Sequence, residues 1–153
     1  MTRLLFICHC PSENTRALRS AALKGIDSLT LADFELRTLA PPDAGPHDVE
    51  WCDGLLMGTT ENFGAMAGLT KDFFERIYYP CLSSTQGLPF SLYIRAGEDG
   101  SGTVQGIGRI ATGLRWKSVS DPLVLQGQWQ HHFEDQVEEV AMTIAAGLDA
   151  QIF

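Results

Sequence analysis

The stretch Leu4-Leu5-Phe6-Ile7-Cys8, followed by His9-Cys10-Pro11-Ser12-Glu13-Asn14-Thr15-Arg16, decides how the chain is read. An unbroken apolar run that stops at a polar, Pro-containing loop is the pattern of a central strand buried on both faces, as in a parallel sheet. Helical spacing begins directly after it. Ser12 and Asn14 are suited to cap a helix, and Leu18, Ala22 and Ile26 recur at i, i+4 and i+8, with Gly25 and Asp27 near the exit.

The same grammar repeats downstream. A weaker strand is expected at residues 34–39, ended by Pro41-Pro42, and a second buried-type strand at 54–57, with room for a short helix between Pro46 and Trp51. Residues 59–65 read as a loop, and Met66, Leu69, Phe73 and Ile77 mark one face of a helix. A third buried strand spans 88–95, and the Gly-rich stretch 96–102 leads into a helix through Val104, Ile107, Ile110 and Ala111. Residues 116–119 and 123–125 read as one interrupted strand, and Phe133, Val137, Val140, Ala141, Ile144 and Leu148 form the apolar stripe of a closing helix. Strict alternation of strand and helix, about five of each, implies an α/β parallel sheet with helices on both faces. Ligands bind such sheets at the carboxyl ends of the strands, so the loops to read are 9–16, 58–66 and 95–103.

Composition narrows the function classes. The chain has 153 residues, 44% hydrophobic and 20% charged, which suits one globular domain over residues 1–153 and excludes disordered or fibrous classes. Eleven Lys plus Arg against nineteen Asp plus Glu give a net charge of -8, which argues against nucleic-acid binding and a polybasic membrane anchor. The opening apolar run falls far short of the roughly 20 residues a membrane span needs. Cys8, Cys10, Cys52 and Cys81 form no CxxC pairs, so reduced thiols, a cytoplasmic setting and no metal site are expected. Lys117 is the last Lys or Arg, and the acidic residues after it read as a solvated helix face.

Each loop has two readings when taken singly. In loop 9–16, hydroxyls, an amide and backbone N–H groups at a helix start suit a phosphate, and the same Ser and Asn equally suit helix capping. In Gly58-Thr59-Thr60-Glu61-Asn62-Phe63-Gly64-Ala65-Met66, Phe63 is placed either to stack on a planar ring or to fold into the core. Ala96-Gly97-Glu98-Asp99-Gly100-Ser101-Gly102 allows close approach of backbone to a ligand, or is a flexible turn. Three ligand-type loops after three successive buried strands point to one shared ligand.

These residues resemble the flavodoxin superfamily, in particular its NAD(P)H-dependent FMN oxidoreductases and the quinone reductases of the same fold. Cys10-Pro11-Ser12-Glu13-Asn14-Thr15 is similar to the family's phosphate loop, usually S/T-x-S/T-G-N-T, and residues 53–66 with Lys71-Asp72-Phe73-Phe74-Glu75-Arg76 are similar to its strand, flavin loop and helix. The resemblance implies a flavodoxin-like three-layer sandwich, a five-stranded parallel sheet of order 2-1-3-4-5, with FMN held non-covalently. It implies phosphate binding by Cys10, Ser12, Asn14 and Thr15, a ring lined by Thr59, Thr60, Glu61, Asn62, Phe63 and Gly64, and cover from Ala96, Gly97 and Gly100. NAD(P)H is the implied reductant, and a quinone, flavin, other small acceptor or redox protein receives the electrons. Catalysis is then the cofactor's, and no side chain is assigned a catalytic role. Two departures stand out: Glu13 replaces the family's usual Gly, and Pro11 removes one N–H donor. Glu61, as a carboxylate near the ring, is expected to disfavour anionic reduced flavin and lower its potential.

Two other readings compete. Cys10-x5-Arg16 with the late Asp121-Pro122 also resembles the low-molecular-weight protein tyrosine phosphatases, in which Cys10 is nucleophile, Arg16 phosphoryl clamp and Asp121 general acid. Glu13 opposes it, and it leaves loops 58–66 and 95–103 unexplained. A flavodoxin-type carrier without its own turnover is the third reading, its acidic surface suited to basic redox proteins. Trp51, Trp116 and Trp129 are assigned to packing, adjacent His131 and His132 point apart, and Phe74, Tyr78 and Tyr79 suit either a homo-oligomer contact or burial.

Overall fold

A computed structural model describes all residues, 1–153. Strand β1, Thr2–Cys8, leads through the first loop to helix α1, Glu13–Asp27. Then follow β2, Phe34–Leu39, a 3-10 turn at Pro41–Asp43, and the short α2, Pro46–Trp51. Strand β3, Gly54–Asn62, turns back into the two-residue β4, Ala65–Met66, before α3, Gly68–Cys81. The remainder is β5, Pro89–Ala96, α4, Ser101–Gly113, β6, Lys117–Ser118, β7, Leu123–Gln126, and α5, His132–Asp149.

The sheet runs β2-β1-β3-β5, and both β6 and β7 pair in parallel with the far edge of β5. β6 and β7 are therefore two halves of one interrupted fifth strand, and the order is the expected 2-1-3-4-5. Successive side chains of a strand point to opposite faces, and β1 uses both. Leu5 and Ile7 join Leu55, Met57, Leu92 and Ile94 against α2, α3 and α4, where Val49, Phe73, Phe74, Ile77 and Ile107 complete the core. Leu4, Phe6 and Cys8 join Leu56 and Tyr93 on the other face, against Leu18, Ala22 and Ile26 of α1 and Val137, Ala141, Ile144 and Leu148 of α5. The result is three layers with two cores.

One sequence expectation changes and one open alternative is settled. Residues 58–62 are strand rather than loop, because β3 continues beside β5 with Thr59 opposite Ile94 and Thr60 opposite Arg95. Phe74 is buried against Phe73 and Trp116, so it is unavailable for an oligomer contact, while Tyr79 stays exposed. The tryptophans pack as expected. Trp116 is buried and donates from Nε1 to Thr85 Oγ1, and the Arg37 guanidinium lies 3.9 Å above the Trp51 ring.

Close contacts between β3 and its neighbours set strict size limits. A Cβ on Gly58 would fall 2.3 Å from the Tyr93 hydroxyl, so Gly58→Ala is expected to destabilise by about 1–3 kcal/mol through overpacking. Gly108 on the exposed side of α4 has nothing within 4 Å of its ideal Cβ, so Gly108→Ala is expected to stabilise by up to about 1 kcal/mol. Urea unfolding midpoints of the two variants should move in opposite directions.

Candidate functional site

Parallel strands end at the same edge, so the loops after β1, β3, β5 and β7 share one rim. Backbone bonds tie that rim together across neighbouring strands. His9 N–H donates to Gly58 O (2.9 Å), and Gly127 N–H donates to Ala96 O (2.9 Å).

The first loop enters α1 through a capping box. Ser12 Oγ accepts from Thr15 N–H (3.2 Å), while Ser12 N–H donates to Thr15 Oγ1 (2.9 Å). This reciprocal pair satisfies two of the donors a helix start leaves open. Arg16 N–H donates to Ser12 O, and Pro11 has none to offer. The N–H groups of Cys10, Glu13 and Asn14 find no partner within the chain. Capping thus engages the Ser12 and Thr15 donors and leaves those three N–H groups free. Arg19, a turn into α1, adds positive charge: together with Arg16 it draws the Cys10 thiol below its ordinary pKa, after the larger effect of the bond from Cys8.

The second loop is a hairpin. Glu61 pairs with Met66 and Asn62 with Ala65, which leaves Phe63 and Gly64 as a two-residue turn with φ of 53° and 75°. Two successive positive φ values are the mark of the tight turn that matches the twist of paired strands. Gly adopts this conformation freely; a phenylalanine does so at a cost of about 1–2 kcal/mol. The Phe63 side chain gains no packing in return, since it is fully exposed at the tip. The hairpin leans on α4 so closely that a Cβ on Gly102 would sit 1.8 Å from the Gly64 carbonyl oxygen.

The third loop is held by side chains reaching from the other strands. Glu61 accepts from the N–H groups of Glu98 (3.0 Å) and Gly100 (2.8 Å). Its charge is engaged by two backbone donors of this loop, which weakens the repulsion of a reduced ring expected of it. Arg95 donates to the carbonyls of Ala96, Leu125 and Gly127, closing the segment after β7 onto β5. Gly97 stands open, with nothing within 4 Å of its ideal Cβ.

The structure therefore brings together Cys10, Ser12, Asn14 and Thr15 in one loop, and sets Asn62, Phe63 and Gly64 at the hairpin tip. Glu61 ties that hairpin to the loop carrying Gly97 and Gly100. It withdraws three others. Thr59 Oγ1 is buried and bonded to Thr70 Oγ1 (2.7 Å), Thr60 Oγ1 donates to Asn62 Oδ1 (2.5 Å), and Ala96 is buried with its carbonyl taken by Arg95 and Gly127. The cause is the same for all three: they are buried within β3 or β5, whereas Asn62, at the end of β3, is exposed. Arg19 and Arg95 escaped the sequence reading. Arg19 follows the capping Thr15 by four residues, a spacing that puts both on one helix face, whereas nothing local marks Arg95. A hollow of about 580 Å³, lined by Leu23, Ile26, Leu29, Leu31, Phe34 and Leu36, lies at the opposite end of the sheet and has none of these donors.

No known protein-family model matches the chain, and no curated protein matches it in sequence. Solved structures do match in shape. A flavodoxin from the domain Archaea superposes with a TM-score of 0.78 at 15% identity, covering 96% of this chain and 99% of that one. Oxidised flavodoxin 1 from Bacillus cereus gives 0.77 at 12% identity over 96% and 99% of the two chains. A WrbA-like flavodoxin from Agrobacterium tumefaciens gives 0.76 at 16% identity over 99% of each. The chain has the flavodoxin fold.

Replacing the Glu61 carboxylate removes one of two acceptors. Glu61→Gln turns an NH2 group toward one of the loop N–H donors, at a cost of about 1–2 kcal/mol. Hydrogen exchange at the Glu98 and Gly100 amides is expected to speed up, with amides in β1 unchanged.

Proposed function

We propose that the rim binds FMN non-covalently and that the protein is an oxidoreductase, passing electrons from NAD(P)H through the flavin to a quinone, free flavin or other small acceptor. The observation that supports this best is the pairing of two exposed features with no internal use. One is a set of unpartnered N–H donors at the start of α1, flanked by Arg16 and Arg19; the other is an exposed aromatic ring held in a strained turn. An anionic tail suits the first, and a planar ring suits the second. Strain kept in an exposed residue that packs against nothing is a pointer to function.

The residues fit the group. Cys10, Glu13 and Asn14 would hold the phosphate by backbone N–H, with the Ser12 and Thr15 hydroxyls beside them. Glu13 is exposed, which lets its carboxylate turn to solvent. Phe63, Asn62 and Gly64 would face the ring, and Gly97 and Gly100 would let backbone approach it. Thr59, Thr60 and Ala96 support this set from within the sheet. FMN held there would supply hydride and electron transfer chemistry, while the residues named bind and orient it. The chain itself fixes the spacing of the loops through the bonds of Glu61 and Arg95.

The net charge of -8 favours a second reading, a carrier that docks on basic redox proteins. Anaerobic stopped-flow mixing of the FMN-loaded protein with NADH and with NADPH separates the two: rapid bleaching by either supports the reductase, and bleaching only by a reduced protein partner supports the carrier. The phosphatase reading predicts hydrolysis of an aryl phosphate that is lost in Cys10→Ser.

FMN binding is tested by titration, following quenching of flavin fluorescence to a one-to-one end point. Phe63→Gly separates strain from function. It is expected to stabilise the unliganded chain by about 1 kcal/mol, read from the urea midpoint, and to weaken FMN about tenfold through lost stacking. Failure of the wild-type chain to bind added FMN would remove the proposal.

A further inference from the structure

Outside the flavin reading, the least explained cluster is a trio of polar side chains where β1 leaves the sheet. Cys8 Sγ lies 2.9 Å from Cys10 Sγ and 3.1 Å from the Tyr93 hydroxyl. All four cysteines are free thiols, and the other two, Cys52 and Cys81, sit in the core on the opposite face of the sheet. A disulfide needs its sulfurs about 2.05 Å apart, so the Cys8 and Cys10 sulfurs need to close less than an ångström.

We propose that Cys8 and Cys10 form a redox-active dithiol that exchanges two electrons with low-molecular-weight disulfides and closes to an intramolecular disulfide at the head of the first loop. This does not depend on flavin binding.

The two thiols are differentiated by position. Cys10 is half-buried, reachable from solvent, and beside Arg16 and Arg19; Cys8 is buried. The bond from Cys8 and the two arginines draw the Cys10 thiol down, while the Cys10 bond and burial push the Cys8 thiol well above its ordinary range. A half-buried thiol that ionises more readily, beside a buried one that ionises less readily, divides the labour of thiol exchange into an attacking sulfur and a resolving one. In the first step the Cys10 thiolate attacks one sulfur of the external disulfide R–S–S–R. A Cys10–S–S–R bond forms, the R–S–S–R bond breaks, and R–S⁻ leaves with the electron pair. In the second step Cys8 attacks Cys10 Sγ: the Cys8–Cys10 bond forms, the Cys10–S–R bond breaks, and the departing R–S⁻ takes up the Cys8 proton as R–SH. The Tyr93 hydroxyl is placed to donate to the Cys8 sulfur as it becomes anionic. The sum is two protein thiols oxidised and one disulfide reduced to two thiols.

Cys52 and Cys81 serve as internal controls. Burial pushes the Cys52 thiol up to about 12 and that of Cys81 to about 11, so neither competes near neutral pH. Cys8 and Cys10 share one tryptic peptide, residues 4–16, which localises the product without ambiguity.

The experiment equilibrates the purified full chain with glutathione buffers of varied ratio, quenches in acid, unfolds, alkylates and weighs the peptides. Oxidation is expected to lower the alkylatable thiols from four to two, with peptide 4–16 lighter by two hydrogens and unalkylated. The ratio of oxidised to reduced protein should rise in proportion to the concentration of glutathione disulfide divided by the square of the glutathione concentration, the signature of an intramolecular bond. Cys8→Ser should halt at a glutathione adduct on Cys10, and Cys10→Ser should leave Cys8 unmodified. A wild-type chain that keeps all four thiols in excess oxidised glutathione, accumulates a stable Cys10 adduct, or oxidises at Cys52 and Cys81 first would overturn the proposal. The wild-type titration stands even if a variant fails to fold.

Discussion

A strand buried on both faces has no place for a charge along its length. In β1 every side chain from Leu4 to Cys8 is enclosed, alternately by the α2, α3 and α4 layer and by the α1 and α5 layer. The chain can present polar chemistry only where such strands stop, and in a parallel sheet they stop together. Much else follows from that constraint. The same burial that makes two cores pushes Cys10, Asn14, Phe63 and Gly97 to a common edge.

Holding that edge in shape takes bonds that cross it. Glu61 reaches two N–H groups of the third loop, Arg95 reaches three carbonyls, and Gly102 leaves room for the Gly64 carbonyl. Each links segments that would otherwise fray independently, and charge-assisted bonds of this kind are worth roughly 1.5–3 kcal/mol each. The rigidity they give explains how the Phe63-Gly64 turn keeps an unfavourable backbone conformation with no packing gain at its tip.

The first loop carries two kinds of chemistry in a few residues. Its backbone offers donors to an anion, and its sulfur meets that of Cys8. Ser12 and Thr15 are occupied with each other in the capping box, which frees neither hydroxyl from the helix but fixes the direction of the N–H groups around them. The arginines on α1 suit both proposed chemistries, since positive charge favours a bound anion and a thiolate alike. The charge on Glu13, which opposes an anion, is exposed and screened by water.

Local periodicity determined the layered α/β architecture, because runs such as Leu4 to Cys8 and stripes such as Phe133 to Leu148 report burial on two faces or one without knowledge of any partner. Cap chemistry at Ser12 likewise placed the start of α1, and the alternation of elements placed the loops at one rim. The hairpin was hidden because Phe63-Gly64 lacks the Asn-Gly or Asp-Gly usually found in such a turn, and the pairing of Asn62 with Ala65 decided it instead. The burial of Thr59, the grip of Glu61 on residues 37 and 39 positions away, and the approach of Tyr93 to Cys8 depended on strand register. Register is a relation between distant segments, set when both faces of the sheet are filled at once. Local pattern therefore places the polar loops at one rim, whereas the side chains that reach the rim are fixed only when the strands pair in register.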